Sequence, residues 1–228
     1  MRVDRFAKMK SVYLYAITRD FGFAPNPFHG VCTLATCKPK IRSSASIGDW
    51  IVGMGGSKMG GKRVDYFGRC ICALRVGKKI SFNDYWNDPV FSCKKAIRNG
   101  SLKTLVGDNV YSTINGKWIQ SNCHHSNADG TTNYSNLERD TGYTDQVIIA
   151  DRFFYFGKSA PRLPKDILDS IPYQKNPRDM RRFRNGEANQ VIDWIEERFH
   201  RVANTIVDDP FLFESGNKRY SAEGDIII

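Results

Sequence analysis

The sequence predicts an α+β fold: a small β-rich core with peripheral helices and a C-terminal amphipathic helix. Two observations lead to this prediction. Runs of β-branched and aromatic residues recur over residues 11–156, whereas the clearest helical pattern lies beyond residue 186. We therefore expect a single domain over residues 1–228, with a β-rich core at 11–165 and a helical C-terminal extension at 166–228.

The predicted strands follow from local composition. Ser11–Thr18 is rich in β-branched and aromatic residues, which favours a first and central strand. Asp49–Val52 and Asp65–Val76 predict two further strands, and Val147–Phe156 predicts the clearest strand of the second half. Between them Asn115-Gly116 separates two short runs of strand composition, and this dipeptide is a strong signal for a β-hairpin.

The predicted helices follow from capping residues and apolar spacing. Ser81 and Asp84 stand three residues apart, as in a capping box, and predict the start of a short helix. Lys165–Ser170 predicts another short helix, and Glu187–Asn204 predicts the one strongly amphipathic helix. The apolar residues at helical spacing in that last segment are Val191, Trp194, Ile195, Phe199 and Val202.

The charge of the chain indicates what it binds. Its formal net charge is +10 and its pI is about 9.4. A strongly basic surface favours polyanions, so DNA, RNA or a nucleotide is the expected partner. The alternative is a basic surface that is only solvated by water and has no specific partner.

The cysteines and the hydropathy bound the cellular setting. The six cysteines form no CxxC pair, so we interpret them as reduced and mostly buried thiols. No run of about 18 apolar residues occurs, and residues 1–10 lack the apolar segment of a signal peptide. We therefore expect a cytoplasmic protein with no membrane contact.

The stretch Gly22–Gly61 contains most of the candidate binding residues. Asn26 lies between two prolines that stiffen its turn, and Phe28 is an aromatic in the same turn that suits stacking on a base. Downstream, three cations fall within five residues, and the glycine turn Gly53–Ser57 follows a predicted strand, where its backbone can approach an anion closely. The residues we predict for nucleotide or phosphate binding are Asn26, Phe28, Lys38, Lys40, Arg42 and Ser57.

A long polar segment, residues 122–145, contains the candidate catalytic residues. His124 and His125 are both candidates for moving a proton, and sequence alone does not distinguish them. Asp140 is a candidate general base or orienting carboxylate. Adjacent residues rarely ligate one ion, and no second Cys/His pair lies at metal spacing, so we expect neither a metal nor another cofactor. A solvated loop explains the same residues without any function.

A second basic cluster lies at Arg178, Arg181, Arg182 and Arg184. Such a cluster suits contact with the backbone of a nucleic acid, and it is equally compatible with a solvated surface. The glycine turn lacks the GxxxxGK[ST] spacing of a P-loop, and the chain has no GxGxxG fingerprint. The sequence therefore gives little support to an NTPase or a Rossmann dehydrogenase.

Three segments together resemble a known family. They are GFAPNPFHGVCTLATCKPKIR with IGDWIVGMGG, DYFGRCICALRV with YWNDPVF, and DQVIIADRFFYFG with APRLP. The set resembles the second type of nucleotide-modification-associated domain, found in bacterial and phage proteins, over residues 11–165. The resemblance implies association with DNA base modification and, as possible partners, other proteins of a modification or defence system; it implies no particular reaction.

A second likeness is to the PUA-like folds, which include the ASCH and EVE domains. It rests on Gly48-Asp49 before an apolar strand and on Gly68 before the strand that ends at Val76. PUA-like domains resemble small β-barrels that hold a base in a cleft. This likeness implies that the predicted strands form a small β-barrel-like or strongly curved mixed sheet.

Three hypotheses of function follow. The first is a nucleic-acid or nucleotide-binding module with a base pocket and basic phosphate contacts. The second is an enzyme acting on a base or free nucleotide, in which His124 or His125 moves the proton, Asp140 orients it and Lys38 stabilises negative charge. The third is a protein-interaction subunit that docks on acidic partners.

Overall fold

The computed structural model describes residues 10–171, 180–184 and 186–228, and its centre is a six-stranded mixed sheet. The strands are β1 Val12–Ile17, β2 Thr33–Leu34, β3 Trp50–Gly55, β4 Lys58–Met59, β5 Lys62–Arg63, β6 Cys70–Ile80, β7 Tyr111–Ile114, β8 Lys117–Gln120, β9 Val147–Tyr155, β10 Met180–Phe183, β11 Tyr220–Ser221 and β12 Ile226–Ile227. The helices are α1 Pro39–Ser44, α2 Phe82–Asn87, α3 Leu102–Leu105, α4 Tyr134–Thr141, α5 Lys165–Ser170 and α6 Asn189–Phe199. The 3₁₀ turns are Pro89–Lys94, Gly157–Ser159, His200–Val202, Phe213–Ser215 and Glu223–Asp225.

The order of strands in the main sheet is β10-β1-β3-β6-β9-β2. Strand β1 is parallel to β3, while the other neighbours are antiparallel. All six residues of β1 are buried, and this explains why its sequence is a continuous apolar run and does not alternate. The predicted strands around β1, β3, β6 and β9 are confirmed, and the α+β class with them.

The barrel expectation is not confirmed. In the described ranges the sheet ends at β10 on one side and at β2 on the other, and these two strands do not pair. Both edge strands are short, four and two residues, and short edges are a common way to end a sheet without closing it. The two strands behind the PUA-like likeness are β3 and β6, which are antiparallel neighbours inside this open sheet.

Several local predictions are confirmed. The Ser81 hydroxyl accepts the Asp84 amide at 3.0 Å and begins α2. Asn115 and Gly116 have φ of +49° and +74° and join β7 to β8, as a primed hairpin turn requires. The segment 122–145, expected to be a loop, contains α4, so that expectation was wrong for eight of its residues.

The C-terminal half contributes to the same sheet and core. Strand β10 pairs with β1, and α6 buries Val191, Ile192 and Ile195 in the apolar cluster that surrounds the sheet. A second apolar cluster, around Phe82 and Tyr111, lies beneath the polar segment 122–145. No helix in the described part of the chain is long and apolar enough to cross a lipid bilayer.

Candidate active site

A cavity of about 680 Å³ lies at the carboxyl end of β1, within the size range of small-molecule sites. Its wall combines the end of β1, the start of α1, the turn after β3, the segment before α4 and the C-terminal hairpin β11–β12. The lining residues are Tyr15, Ala16, Ile17, Thr18, Arg19, Phe21, Phe23, Ala24, Cys37, Lys38, Gly56, Ser57, Lys58, Gly61, Phe67, His124, His125, Arg139, Tyr220 and Asp225.

Cys37 stands in an unusual backbone conformation at the wall of this cavity. Its φ is +56°, and that of Lys38, which follows it at the start of α1, is +41°. Residues other than glycine seldom adopt positive φ, and where they do the surrounding structure holds them in place. Here the Cys37 amide donates to Asp140 Oδ1 at 2.9 Å. The half-buried thiol is thereby directed to His125, with Sγ 3.8 Å from Nε2.

His125 connects this thiol to a carboxylate. Its Nδ1 lies 2.9 Å from Asp140 Oδ2, and both side chains are buried. An ionised carboxylate only accepts, so Nδ1 carries the proton that it donates, and Nε2 faces the sulfur. The Phe23 ring meets His125 edge-on at 4.5 Å and fixes the plane of the imidazole. The result is a thiol, an imidazole and a carboxylate in line.

Asp140 accepts from a full set of donors. Besides Cys37 and His125, Oδ2 accepts from the Tyr111 hydroxyl at 2.9 Å. Arg139 binds both oxygens, with Nε at 2.8 Å from Oδ1 and Nη2 at 2.9 Å from Oδ2. Arg139 Nη2 also lies 3.0 Å from His125 Nδ1, but a nitrogen that donates to Asp140 has no lone pair for it, so Asp140 is the true partner of Arg139.

The charges in this cluster stabilise an ion pair between thiol and imidazole. Burial alone would raise the pKa of Cys37, but Arg139 and His125 lower it below its ordinary value. Burial and Arg139 would lower the pKa of His125, but Cys37 and Asp140 raise it. Burial alone would raise the pKa of Asp140, yet Arg139 and His125 hold it well below its usual range. A thiolate beside an imidazolium is the reactive form of a cysteine nucleophile.

Cys37, His125 and Asp140 also bring three potential metal ligands within 4.8 Å of one another. The environment does not favour a cation. All the lone pairs of the Asp140 carboxylate are occupied by donors, and the Arg139 guanidinium already binds both of its oxygens. A divalent ion would have to displace that guanidinium, so the donor set fits acid–base chemistry better than ligation.

The two candidate histidines have different surroundings. His124 is buried against Phe21 and Phe23, at ring distances of 4.5 and 5.1 Å. Its Nδ1 lies 2.6 Å from the Lys218 carbonyl oxygen and donates to it. Burial, together with the nearby His125, lowers the pKa of His124 to about 3, so the ring is neutral. Of the two, only His125 contacts both the thiol and the carboxylate.

Three of the predicted binding residues lie in the interior and outside the cavity wall. The Asn26 amide donates to the Val106 carbonyl at 2.7 Å and accepts from Lys94 Nζ at 2.7 Å. Phe28 stacks on Phe213 with ring centres 5.1 Å apart.

Arg42 is the third of these, and it is fully buried. Its Nε donates to the Cys37 carbonyl at 2.8 Å, its Nη1 to the Gln146 carbonyl at 2.7 Å and its Nη2 to the Asp140 carbonyl. A guanidinium with three carbonyl partners has little to offer a phosphate. Arg42 instead ties the segment of the thiol to the segment of the carboxylate.

The other predicted binding residues, Lys38, Lys40 and Ser57, divide between the cavity and the surface. Lys38 and Ser57 line the cavity, and Lys38 Nζ lies 4.6 Å from the Tyr15 ring centre. Burial lowers the pKa of Lys38, and within the described ranges no carboxylate stands at ion-pair distance from it. Lys40 is exposed on α1, outside the wall.

The basic cluster of the C-terminal half lies on the edge strand. Arg181 and Arg182 belong to β10 and Arg184 follows it, and none of them lines the cavity. Arg182 Nε lies 3.2 Å from the Ser11 hydroxyl, and its guanidinium packs 5.2 Å from the Tyr13 ring centre. Arg178 lies outside the described residues.

Sequence reasoning missed three residues of the site. Cys37 was grouped with the buried thiols, although it directly precedes the cationic run Lys38–Arg42, a setting known to lower a thiol pKa. Arg139 was passed over between two carboxylates. Tyr220, whose ring lies 5.4 Å from the Arg139 guanidinium carbon, comes from the C-terminal hairpin and has no local signal.

Fold and site together define an α+β protein with a thiol, an imidazole and a carboxylate in the wall of a cavity rich in cations. The chain belongs to the family described as nucleotide modification associated domain 2, whose model matches residues 9–217. The resemblance found in the sequence is thus confirmed, and the match includes Cys37, His125 and Asp140. No curated protein and no solved structure matches the chain.

Proposed function

We propose that this protein is an enzyme that acts on a nucleobase or nucleotide, with Cys37 as the nucleophile. The observation that carries the proposal is the alignment of Cys37 Sγ, His125 and Asp140, at 3.8 and 2.9 Å, in the wall of a cavity. In this arrangement His125 moves the proton and Asp140 orients the imidazole.

Two observations support a nucleotide as the ligand: the family of the chain and the residues of the cavity wall. Aromatic side chains in the wall suit the flat face of a base, and cations suit a phosphate. The aromatic residues of the wall are Tyr15, Phe21, Phe23, Phe67 and Tyr220, and the cations are Arg19, Lys38, Lys58 and Arg139. Among the described residues that line the cavity, Asp225 supplies the only carboxylate.

The chemistry that suits this arrangement is attack on a carbonyl-type carbon of the ligand. The Cys37 thiolate forms the S–C bond, and the π electrons of the C=O bond move to its oxygen, where Lys38 stabilises the charge. When that oxygen returns its electrons, the leaving group departs with a proton from His125 Nε2. Water then attacks the thioester with His125 as base, the C–S bond breaks, and the thiolate and imidazolium are restored.

The same cavity suits a pure binding module, which was the first hypothesis from sequence. In that case the base and its phosphate bind as described and no bond changes. Arg181, Arg182 and Arg184 would then contact the backbone of a longer strand, from an edge of the sheet that is separate from the cavity wall. A cytoplasmic location suits both proposals and keeps the Cys37 thiol reduced.

Alkylation of the thiols by iodoacetamide, followed residue by residue with mass spectrometry between about pH 6 and 9, tests the enzyme proposal. Cys37 is expected to react at lower pH than an ordinary thiol, and common nucleoside 5′-monophosphates are expected to slow it. Cys93, an exposed thiol outside the wall, is the internal control and is not protected by nucleotides. The variant His125→Gln is expected to move the reaction of Cys37 to higher pH.

The enzyme and the binding module predict different results of this alkylation experiment. Protection of Cys37 by nucleotides, combined with alkylation that rises only near the pH of an ordinary thiol, favours the binding module. Alkylation that is neither shifted in pH nor slowed by nucleotides contradicts both.

A further inference from the structure

One wall of the cavity is closed by an ion pair within the chain itself. Arg19 Nη1 donates to Asp225 Oδ1 at 2.9 Å, and Arg19 Nη2 donates to the Asp225 carbonyl. The Tyr220 hydroxyl donates to the same Oδ1 at 2.9 Å. All three residues line the cavity. A carboxylate from the C-terminal hairpin therefore occupies a guanidinium and a phenol that face the ligand space.

The carboxylate of this pair is much more exposed than the one at the catalytic cluster, although Arg19 and Arg139 are equally exposed at 25%. The side chains of Arg19 and Asp225 are 25% and 49% exposed, whereas that of Asp140 is fully buried. Exposed ion pairs contribute little to stability, because water solvates both partners once they separate. Replacing the Asp225 carboxylate by another anion therefore costs little.

Asp225 lies on a tip that is held less firmly than its base. The residues 223–225 are exposed, and Gly224 and Asp225 both have positive φ, +72° and +55°. The base of the hairpin is fixed to the site, because the Tyr220 amide donates to the His124 carbonyl at 2.8 Å and Asn136 Nδ2 donates to the Tyr220 carbonyl at 2.6 Å. The tip can turn outward while Tyr220 stays in the wall.

Tyr220 connects this pair to the catalytic cluster. The guanidinium carbons of Arg19 and Arg139 lie 5.0 and 5.4 Å from its ring centre. Both ends of the cavity therefore meet on one aromatic ring. A single ligand that binds Arg19 through an anionic group also reaches the cluster around His125.

We infer that Asp225 occupies the place of the phosphate of the ligand. A phosphate group on a nucleoside replaces the Asp225 carboxylate on Arg19 and Tyr220, and the tip Glu223–Asp225 turns outward as it enters. Phosphate oxygens accept from a guanidinium and a hydroxyl in the same way as a carboxylate does. The inference rests on the proposed function and narrows its ligand to phosphorylated nucleosides, as against free bases or nucleosides.

Isothermal titration of the full chain with common nucleosides, their 5′-monophosphates, inorganic phosphate and a short single-stranded oligonucleotide tests this inference. Asp225→Asn removes the competing charge and is expected to tighten binding of the monophosphates about two- to fivefold, the size of an exposed ion pair. Nucleoside binding stays unchanged. Arg19→Gln is expected to reduce monophosphate affinity to that of the nucleosides.

The matched control is Asp151→Asn. It breaks the pair of Arg75 Nε and Asp151 Oδ1, 2.8 Å apart, whose side chains are 40% and 48% exposed and which lies outside the cavity wall. This variant is expected to bind every ligand as the unaltered protein does.

Each outcome decides something. Tighter binding of monophosphates to Asp225→Asn supports the inference. If the affinity for the oligonucleotide rises more than that for the monophosphates, the phosphate that binds Arg19 is a phosphodiester within a strand. Monophosphate binding that Asp225→Asn leaves unchanged or weakens overturns the inference alone. If the unaltered protein binds none of these ligands, the proposed function falls and the inference with it.

Discussion

Two buried polar networks in this protein have similar ingredients and opposite relations to the cavity. In the first, Asp108 accepts from the Tyr85 hydroxyl at 2.8 Å and the Thr33 hydroxyl at 2.6 Å. Nearby, Lys94 donates to the Val31 carbonyl at 2.6 Å and to the Asn26 side chain at 2.7 Å. None of these six residues lines the cavity. We call this group the interior network.

In the second network Asp140 is equally buried and accepts from more donors, and its partners include Cys37 and Arg139, which line the cavity. We call it the cavity network. The pKa values of the two carboxyls move in opposite directions. Burial raises that of Asp108 despite the attraction of Lys94, whereas Arg139 and His125 overcome burial and lower that of Asp140. Burial and hydrogen bonding are thus common to both networks, and only the cavity network places a thiol and a cation in the wall of the cavity.

The largest expected effect is on the interior network. Lys94→Met leaves the Asn26 and Val31 acceptors without their donor and Asp108 without its nearby cation, so the free energy of unfolding is expected to fall by about 3–5 kcal/mol. Urea unfolding measures it. Lys95→Met is the matched control, because its ammonium only packs on the Trp86 ring at 4.0 Å, and it is expected to cost less than about 1 kcal/mol. Equal losses in both variants contradict the importance of this network.

The next effect is on the cavity network. Asp140→Asn keeps the shape of the side chain but removes the charge that Arg139 and His125 bind, so we expect a loss of about 2–3 kcal/mol. The Asp140 charge itself raises the pKa of Cys37, but it also holds the His125 proton that lowers this pKa. Because the loss of the imidazolium is expected to outweigh the loss of that repulsion, Asp140→Asn, unlike Lys94→Met, is expected to slow alkylation of Cys37 at about pH 6 by roughly tenfold, the change in thiolate fraction for one pKa unit. Thiol reactivity that survives Asp140→Asn shows that Cys37 does not depend on the carboxylate.

Acidification separates the two carboxyls. The folded pKa of Asp140 is lowered, so its contribution to stability is present above the unfolded pKa, about 3.9, and is lost as the pH falls. The folded pKa of Asp108 is raised, so its contribution is present below about 3.9 and is lost as the pH rises through the folded pKa.

Unfolding free energies measured from about pH 3 to 7 are therefore expected to show a shallower acid loss for Asp140→Asn and a steeper one for Asp108→Asn. The two variants should diverge by about 1–2 kcal/mol over this range. Parallel curves contradict the assignment of opposite pKa shifts.

The smallest effect tests the geometry of one cation. Arg139→Lys keeps the charge but loses the paired bonds to both oxygens of Asp140. The alkylation profile of Cys37 is expected to move to higher pH by less than about one unit, with a stability loss of about 1 kcal/mol. Arg152→Lys is the control, because the Arg152 side chain is 30% exposed, against 25% for Arg139, and also pairs with a carboxylate, that of Glu196. This variant is expected to leave the alkylation of Cys37 unchanged. A shift of the Cys37 profile as large as that caused by Asp140→Asn would mean that a positive charge at position 139 is not enough to keep the thiol reactive.

The features that the sequence predicted well are those that depend on residues close together in the chain. The hairpin at Asn115-Gly116, the capping box at Ser81 and the helix that became α6 each depend on spacing within a few positions. The open sheet was not predictable, because closure depends on whether β10 and β2 meet, and nothing local in either strand encodes that.

Only part of the site was predictable, because its residues come together from distant segments of the chain. His125 and Asp140 were named from residue chemistry alone, but Cys37 reaches His125 across 88 positions of sequence. Asn26 looked like a ligand contact because it lies in a stiff turn between two prolines, and Arg42 because it belongs to a run of three cations. Their partners, Lys94 and the carbonyls of Gln146 and Asp140, come from distant segments, and only tertiary structure shows that these side chains are already engaged.

The amide of Cys37 is committed to Asp140. In many enzymes with a nucleophilic side chain, the backbone N–H of the nucleophile forms part of the oxyanion hole. Here that group is occupied, so in the reaction proposed above the anion of the intermediate relies on a side chain, and Lys38 is the next residue along the chain. A backbone donor cannot be altered by substitution, but a lysine can. In the proposed reaction, substitution of this one residue therefore changes how strongly the centre stabilises charge.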